Sequence, residues 1–440
     1  MKKLKILVIS AEVWRNDKNG GNVLSNIFDG LPYEFAQIYC SPGTPSNRLC
    51  KKYYQITDTM LIHRLFKGPK PGNSIEFKDT EGGGEDENNC EQENPGFYNF
   101  FRRHRLEIFN VLRSLLWIAV DWRTKQLEEF ILSFNPDIIF APCYASHTML
   151  HLDRYAAQLT KRPVISYISD DNYSLKQVRF SPVYWLDRFA LRENMRRTFP
   201  YYQLMYTMTE EQKKELKTVF HGKIKILKKY GEFCADKVRS TVGQPIRLIY
   251  AGGIYCGRWK TLKKIVEAMR EINQQEIKMQ LHIFTGNQLT ESQKKVLHNE
   301  RDSFVHASVG KEELEWQYAI SDIALHVESF DLRNRYLTRL SFSTKIIDCL
   351  SSGCAVMAVC WEQQAGFKYL LREDAAICIS KPSDIPKQLR RIVKFPDIIR
   401  EYSEKACQCG LKYHKKQDVQ KMIKSDFEFF LRTGEQGGRL

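Results

Sequence analysis

The sequence lacks any apolar stretch as long as the roughly 20 residues that a membrane-spanning helix requires. The apolar run in the opening segment MKKLKILVIS is short, and no small-residue cleavage site follows it. We therefore expect this run to be a buried strand and not a secretory signal. At 440 residues the chain is too long for one compact core, which predicts two domains of roughly 200 residues each.

The sequence also has no Cys-x-x-Cys pair, although it contains 12 cysteines. Most of them lie inside apolar runs such as CLSSGCAVMAVC, and the closest pair is Cys407 and Cys409. This pattern is typical of buried thiols in a reducing compartment and argues against a zinc site or a disulfide framework. The expected location is therefore cytoplasmic.

Acidic residues are fewer than basic ones, 52 against 67, so the net charge is +15. Such an excess favours an anionic partner, namely nucleic acid, an anionic membrane or a phosphate-bearing substrate. The sequence contains no zinc-finger spacing and no RNA-recognition signature, so nucleic acid is not expected. An ordinary solvated basic surface is the alternative explanation.

Apolar runs alternate with helical stretches through both halves of the sequence. LKILVIS, PDIIFAP and PVISYIS in the first half, and IRLIYAGG, MQLHIFTG and DIALHVES in the second, are typical of parallel strands covered on both faces. We predict an α/β protein with two tandem Rossmann-like domains at 1–235 and 245–395, and an active site in the cleft between them. Residues 396–440 are predicted to be helices that pack across both domains.

Two segments interrupt this alternation. Residues 79–97 are acidic and rich in glycine and asparagine, which predicts a mobile surface loop. Residues 101–125 form a basic amphipathic pattern that combines five arginines with Trp117 and Trp122. A helix of this kind suits the interface of an anionic membrane, and a core-facing helix with basic solvent-side residues is the equal alternative.

The segment SFSTKIIDCLSSG predicts a short helix capped by Ser343, with Gly353 in the left-handed position after its end. Thr344, Lys345 and Asp348 share one face of this helix. Free amide hydrogens, hydroxyls and an ammonium group at a helix start can bind a diphosphate. A carboxylate one turn later can accept hydrogen bonds from the two hydroxyls of a ribose. A merely capped helix with a solvated lysine is the alternative.

Two glycine-containing turns support a nucleotide site. In LIYAGGIYCGRWKTLKKI a strand is followed by a glycine turn, and Arg258 and Lys260 then open a helix at the carboxyl edge of the sheet. In the first domain, Gly20 and Gly21 lie at the mouth of the first helix, where a phosphate or sugar could approach the backbone. Neither the LIYAGGIYCGRWKTLKKI turn nor the SFSTK segment matches a Walker loop or G-x-G-x-x-G, and a plain glycine turn is the alternative at Gly20 and Gly21.

Together these features resemble glycosyltransferases of the GT-B fold. The resemblance rests on the NGG turn after the first strand, the GRWKTLKKIVEA helix start and the segment SFSTKIIDCLSSGCAVMAV, and it is clearest between residues 246 and 379. Within that fold the chain is similar to retaining family 4 enzymes of bacterial capsule, lipopolysaccharide and exopolysaccharide assembly. The resemblance implies transfer of a hexose from a nucleotide-diphosphate sugar to a saccharide acceptor, with no metal and no other cofactor.

The resemblance also implies roles for carboxylates. DCLSSG stands in place of the family's EAMASG, so Asp348 matches the glutamate that binds the ribose. Strict spacing places Leu340 at the family's first glutamate. Glu328, or alternatively Asp331, is expected to replace that glutamate after a local insertion.

Further site residues follow from the same comparison. Lys260 matches the family's lysine, whereas its arginine position holds Tyr255, and Arg258 is expected to compensate. In SYISDDNYS, Asp170 and Asp171 stand where the family often has a histidine near the reacting sugar, so one of them is expected to meet the acceptor or donor sugar. Capping of the loop after a buried strand is their alternative role.

The sequence thus predicts a sugar transferase with two sets of site residues. The catalytic candidates are Asp170, Asp171 and Glu328; the diphosphate-binding candidates are Gly20, Gly21, Arg258, Lys260, Ser343, Thr344 and Lys345. The basic segment suggests a lipid-linked acceptor and a peripheral position on the inner face of the cytoplasmic membrane. A nucleotide-sugar 2-epimerase of the same fold and a non-catalytic nucleotide-sugar-binding subunit are the alternatives.

Overall fold

The computed structural model describes residues 3–15, 19–76 and 107–437. Within these ranges the chain forms two α/β domains, each built on a largely parallel sheet, followed by a long helix. The predicted fold class is therefore confirmed. The acidic segment 79–97 and the opening part, 101–106, of the predicted basic helix lie outside the described residues. None of the described helices is both long and apolar enough to cross a membrane.

The described strands of the first domain are β1 (Lys5–Ser10), β2 (Glu34–Tyr39), β3 (Cys50–Gln55), β4 (Asn73–Glu76), β5 (Ile138–Pro142), β6 (Val164–Ile168), β7 (Tyr202–Thr207) and β8 (Lys223–Ile226). Their spatial order is β4-β3-β2-β1-β5-β6-β7-β8. All neighbours pair in parallel except β4, which runs antiparallel to β3. Sequence analysis missed β3 and β4, because β3 contains Lys51 and Lys52 and β4 is short, so neither shows a continuous apolar run.

The described helices of this domain are α1 (Asn19–Phe28), α2 (Asp58–Leu65), α3 (Glu107–Ala119), α4 (Lys125–Phe134), α5 (His147–Thr160), α6 (Pro182–Thr198) and α7 (Glu210–Leu216). Several begin at a hydroxyl that accepts a backbone N–H of the first turn, as Thr57 does for α2, Thr124 for α4 and Ser146 for α5. The strands β5 and β6 are buried along their whole length, as expected of strands covered on both faces.

The second domain contains the described strands β9 (Ile246–Ala251), β10 (Met279–Thr285), β11 (Ser303–Ala307), β12 (Ile323–Val327), β13 (Ala355–Val359) and β14 (Ile377–Ile379). Its helices are α8 (Arg258–Ile272), α9 (Glu291–Leu297), α10 (Lys311–Ala319), α11 (Leu332–Leu337), α12 (Lys345–Ser351), α13 (Ala365–Arg372), α14 (Ile385–Lys394) and α15 (Asp397–Tyr413). The strand order is β11-β10-β9-β12-β13-β14, entirely parallel. The order reverses between β9 and β12, which is the point where open α/β sheets bind ligands.

A last helix, α16 (Lys416–Gly437), packs on the first domain. Its residues Val419, Ile423 and Phe427 lie in the core of that domain. Asp426 of the same helix accepts a hydrogen bond from the Tyr206 hydroxyl at 2.8 Å. Because α15 packs on the second domain, α16 connects the second domain back to the first.

The segment predicted as one basic helix at 101–125 contains a break between α3 and α4. Trp117 and Trp122 are each 3% exposed and belong to the core of the first domain. Trp117 Nε1 also donates a hydrogen bond to Asp58 Oδ1 at 2.7 Å. The two tryptophans therefore stabilise the core, which corrects the interpretation that they mark a membrane interface.

Candidate active site

The predicted residues of the second domain gather at the switch point between β9 and β12. The glycine turn at Gly252 directly follows β9, and Glu328 directly follows β12. The segment before α12 reaches the first domain, where Thr209 Oγ1 donates a hydrogen bond to the Leu340 carbonyl at 3.3 Å. The candidate site therefore lies beside the seam between the two domains.

Lys345, the first residue of α12, is a partly buried cation at this point. Burial, followed by the positive charge of Arg258, lowers the pKa of Lys345 to about 8. Its Nζ lies 3.4 Å from the Tyr250 hydroxyl. At Gly252, φ is +151°, and a Cβ would lie 1.8 Å from Lys345 Nζ. The glycine after β9 therefore makes room for the lysine.

The positive potential around Lys345 acts on a second group. His326 on β12 is buried, and burial together with the charges of Arg258 and Lys345 lowers its pKa to about 3. The imidazole is therefore neutral at physiological pH. A group that binds here with negative charge would be favoured by this potential, because the local dielectric is low and the charges are poorly screened.

Arg258 and Glu328 form a buried, bidentate ion pair. Arg258 Nε donates to Glu328 Oε2 at 3.0 Å, and Nη2 donates to Oε1 at 2.8 Å. Burial works to lower the pKa of Arg258, but the charge and hydrogen bonds of Glu328 outweigh it and raise that pKa. Much of the hydrogen-bonding capacity of both groups is used within the pair. The structure therefore places these two candidate residues in direct contact, as an ion pair.

Lys260 and Asp331 form a second ion pair nearer the surface, with Nζ and Oδ2 at 2.8 Å. Gly257 precedes α8 with φ +75°, and a Cβ there would lie 2.6 Å from Ser329 Oγ. Glycine is therefore what allows the start of α8 to approach the loop after β12. Lys260 is about half exposed, so an incoming anion can replace Asp331 as its partner at small cost.

The helix α12 differs in one detail from the sequence-based expectation. Thr344, and not Ser343, occupies the cap position, and its side chain makes no capping hydrogen bond. The reason is that the backbone is already helical at Thr344, and Ile346 N bonds the Ser343 carbonyl instead. Gly353 adopts φ +80°, which confirms its predicted left-handed conformation. Asp348 is half exposed, and its Oδ1 lies 3.5 Å from Lys229 Nζ.

Asp171 lies in a buried ion-pair cluster that joins the domains, formed with Arg339 and Glu215. Arg339 Nη2 donates to Asp171 Oδ2 at 3.1 Å and to Glu215 Oε2 at 2.8 Å. Ser174 N and Arg188 Nη2 also lie 2.9 and 3.9 Å from Asp171 Oδ1. The carboxylate is therefore fixed as an interdomain contact, in addition to ordering the loop after β6.

Asp170 is exposed and borders a cavity of about 440 Å³ at the same seam. Its Oδ1 accepts a hydrogen bond from Ser341 Oγ at 2.6 Å, so the loop before α12 also contacts it. The cavity wall is mostly apolar and includes Tyr173, Leu175 and Leu340. The structure thus places the first-domain aspartates next to the segment that carries the diphosphate candidates.

Gly20 and Gly21 fall in the first turn of α1. Their surroundings lie outside what the structure describes, so their predicted contact with a phosphate or sugar stays a prediction. In the described ranges, no three His, Cys, Asp or Glu side chains lie close enough together to hold a metal ion.

Arg339 and Glu215 were not predicted from the sequence. Arg339 lies two positions before the SFSTK segment, but its partner Asp171 is 168 positions away in the sequence. No local sequence pattern predicts an ion pair between residues so far apart in the chain. The only available signal was a charged residue next to a predicted ligand segment.

No protein-family model matches the sequence, and no curated protein matches it either. Solved structures do resemble the fold. A sucrose-phosphate synthase from Thermosynechococcus elongatus aligns with a TM-score of 0.62 at 11% sequence identity, over 98% of this chain and 100% of that one. A UDP-forming α,α-trehalose-phosphate synthase from Burkholderia vietnamiensis gives 0.62 at 9% identity, over 98% and 100%. Alr3699/HepE from Anabaena, in complex with UDP and glucose, gives 0.59 at 10% identity, over 97% and 99%.

These similarities extend over both domains of the chain. At such low identities they show the fold alone. The chain therefore has the tandem Rossmann-like arrangement of the GT-B fold, as the sequence motifs predicted.

Proposed function

We propose that the protein is a glycosyltransferase that moves a hexose from a nucleotide-diphosphate sugar to a saccharide acceptor. The observation that carries the proposal is Lys345, a partly buried lysine with a lowered pKa at the switch point of the second sheet. Keeping an ammonium group in such a place costs folding free energy, and an anionic ligand would offset this cost. The solved structures of the same fold that are described as UDP-forming or UDP-bound make a uridine diphosphate sugar the first donor to test.

The second domain would bind the donor. Lys345 would contact the diphosphate, and Lys260 would join it by leaving Asp331. The hydroxyls of Ser343 and Thr344 lie on the segment between the ion-pair cluster and α12, within the same stretch of chain. Asp348, which is half exposed, is the candidate for the ribose hydroxyls.

The reaction would break the bond between the anomeric carbon and the diphosphate oxygen and form a bond to the acceptor hydroxyl oxygen. The proton of that hydroxyl would pass to the leaving diphosphate. Negative charge on the diphosphate grows as its bond breaks, so fixed positive charge such as Lys345 stabilises the transition state. The family resemblance implies retention of configuration, which we assign to a front-face displacement without a metal.

The carboxylates would have separate tasks. Asp170 is the exposed aspartate at the seam and is the candidate to contact a sugar. Asp171 would hold the domains together through Arg339, and Glu328 would orient Arg258. These assignments are proposals, which substitution of each carboxylate can separate.

The acceptor is proposed to be lipid-linked, in the assembly of a bacterial surface polysaccharide at the inner face of the cytoplasmic membrane. The mostly apolar wall of the seam cavity supports an acceptor with an apolar part. A phosphosugar acceptor, as the names of the sucrose-phosphate and trehalose-phosphate synthases suggest for those proteins, is the competing acceptor class.

Thermal unfolding in the presence of UDP, GDP, ADP and dTDP tests the donor site. A nucleotide at a hundred times its dissociation constant should add about 2.7 kcal/mol to the free energy of unfolding. Lys345→Met should abolish this gain without destabilising the ligand-free protein, because methionine fills the space and removes a partly buried charge. Lys311→Ala changes an exposed lysine elsewhere and should keep the full response.

The absence of stabilisation by every nucleotide diphosphate would refute the proposal. Incubation of a bound donor with and without acceptor then identifies the reaction. A sugar nucleotide epimerised without acceptor would establish the 2-epimerase instead. Binding with neither transfer nor epimerisation, across lipid and phosphosugar acceptors, would establish the non-catalytic subunit.

A further inference from the structure

The first domain exposes a set of large apolar side chains on two adjacent helices, α3 and α6, and at Phe180 just before α6. α3 and α6 pack against each other and cover the same face of the first sheet, so their solvent sides point away from the same core. We name these side chains the apolar ridge: Leu112, Leu115, Ile118, Phe180, Leu186 and Phe189. Exposure reaches 97% at Phe180, 71% at Leu186 and 66% at Ile118.

The ridge follows helical spacing on both helices. Leu112, Leu115 and Ile118 are three residues apart on α3, and Leu186 and Phe189 are three apart on α6. The residues of each set therefore form a stripe along one side of their helix. The opposite side of each helix carries the buried residues, such as Trp117 on α3. The exposed apolar residues of the stripe are therefore not part of the core. Contiguous exposed apolar surface of this kind marks an interaction site.

The charged residues around the apolar ridge indicate which type of partner would bind it. The segment from Lys176 to Arg197, which spans most of α6, has six lysines and arginines against two acidic residues, and one of the six, Arg188, is buried. Arg196 and Arg197 are exposed at the end of the α6 stripe, where both lie within ion-pair distance of Glu193, and Arg179 directly precedes Phe180. An apolar stripe bordered by arginines is the pattern of a surface that inserts among anionic lipid headgroups.

The cavity at the seam between the domains lies next to α6. Arg192 of α6 lines the cavity, as do Leu175 and Lys176 shortly before that helix. A bilayer seated on the ridge would therefore lie close to the cavity wall, from which a lipid-linked acceptor could enter without leaving the membrane surface.

We propose that the apolar ridge docks the first domain on an anionic lipid bilayer. The proposal names the membrane-binding surface of the proposed transferase, and only its link to a lipid-linked acceptor rests on that function. Insertion of the side chains supplies apolar burial, and the neighbouring arginines supply attraction that falls as salt is raised.

Vesicle flotation tests the ridge. The full chain should bind phosphatidylcholine vesicles that contain phosphatidylglycerol, bind pure phosphatidylcholine vesicles at least about tenfold more weakly, and lose affinity with added salt. The triple variant Ile118→Ser, Leu186→Ser, Phe189→Ser should bind the anionic vesicles about tenfold or more weakly. These positions are exposed, so its unfolding transition should match the parent's.

The matched control replaces three other exposed apolar residues: Leu132→Ser, Leu371→Ser and Phe395→Ser. It should bind vesicles as the parent does. Lack of binding by the parent, or equal binding by the ridge variant, would overturn the proposal. So would a parent dimer that becomes monomeric in the ridge variant without any vesicle binding, because the ridge would then be covered by a second copy of the chain.

These experiments can refute the proposed function and the proposed membrane binding by the ridge independently of each other. The ridge variant should retain its thermal response to nucleotide diphosphates. Vesicle binding through the ridge without any nucleotide response would leave the docking surface in place and remove the transferase.

Discussion

At the scale of single residues, the site depends on how Lys345 is kept charged in a partly buried place. Its ammonium group lies against the Tyr250 ring and near Arg258, whose own charge is balanced by Glu328. Gly252 leaves the space that the lysine side chain needs. These neighbours therefore leave the positive charge of Lys345 only partly neutralised in the ligand-free protein.

Nucleotide affinity should fall with rising pH because of this residue. Burial lowers the pKa of Lys345 from 10.5 to about 8. Above pH 8 the free protein increasingly loses the ammonium proton, so the dissociation constant of a nucleotide diphosphate should rise, by up to about tenfold per pH unit. Isothermal titration calorimetry between pH 7 and pH 10 measures this change.

The stability of the free protein should respond in the opposite direction. Below pH 8 the folded state carries the full cost of the buried charge. Between pH 8 and 10.5 the unfolded chain still binds the proton that the folded state has lost, so this group's contribution to the free energy of unfolding rises with pH. Lys345→Met should lack both effects, and a dissociation constant independent of pH in the parent would contradict the assignment.

At the scale of elements, the loop between α11 and α12 is the part that joins the two halves of the site. Arg339 on this loop bonds Asp171 and Glu215 of the first domain, and Ser341 bonds Asp170. The next residues along the chain are Ser343, Thr344 and Lys345. Movement of the domains would therefore be transmitted directly to the diphosphate candidates.

Arg339→Ala should destabilise the protein and weaken the interface between the domains. The change leaves Asp171 buried without its main cationic partner, which should lower the free energy of unfolding by about 3 kcal/mol. Chemical denaturation followed by circular dichroism measures this loss.

Lys176→Ala is the matched control for that experiment. It removes the other cation that contacts Glu215, but Lys176 is mostly exposed, so the loss should stay below about 1 kcal/mol. Similar losses for the two variants would show that the ion-pair cluster does not stabilise the interface.

At the scale of the whole molecule, α16 determines how the two domains are connected. It leaves the second domain after α15 and contributes Val419, Ile423 and Phe427 to the core of the first. The first domain therefore does not have a complete core without the last segment of the chain. Unfolding of the two domains is expected to be coupled for this reason.

Phe427→Ala should destabilise the first domain by about 3–5 kcal/mol, because the phenyl ring is fully buried between α16 and the sheet. Differential scanning calorimetry should show the transition at lower temperature. Phe429→Ala removes a partly exposed ring from the same helix and should cost about 1 kcal/mol or less. Equal effects of the two changes would show that α16 is not packed as described.

Much of the fold could be predicted from the sequence, and less of the site. Continuous apolar runs identified strands such as β1, β5 and β9, because strands buried on both faces tolerate few polar residues. The strands β3 and β4 were not predicted, because β3 carries two lysines and β4 is a short strand at the edge of the sheet. The SFSTK segment predicted the position of Lys345, but not its burial, which depends on Tyr250 and Gly252.

The sequence by itself determined the alternation of strands and helices and the left-handed Gly353, because each follows from residues that are neighbours along the chain. Only the tertiary structure decided that Trp117 and Trp122 belong to the core, that Arg258 pairs with Glu328, and that Asp171 is an interdomain contact. The physical reason is that burial and charge pairing are set by partners far away in the sequence. Which face of a helix is covered, and which charge meets which, is fixed only when the chain has folded.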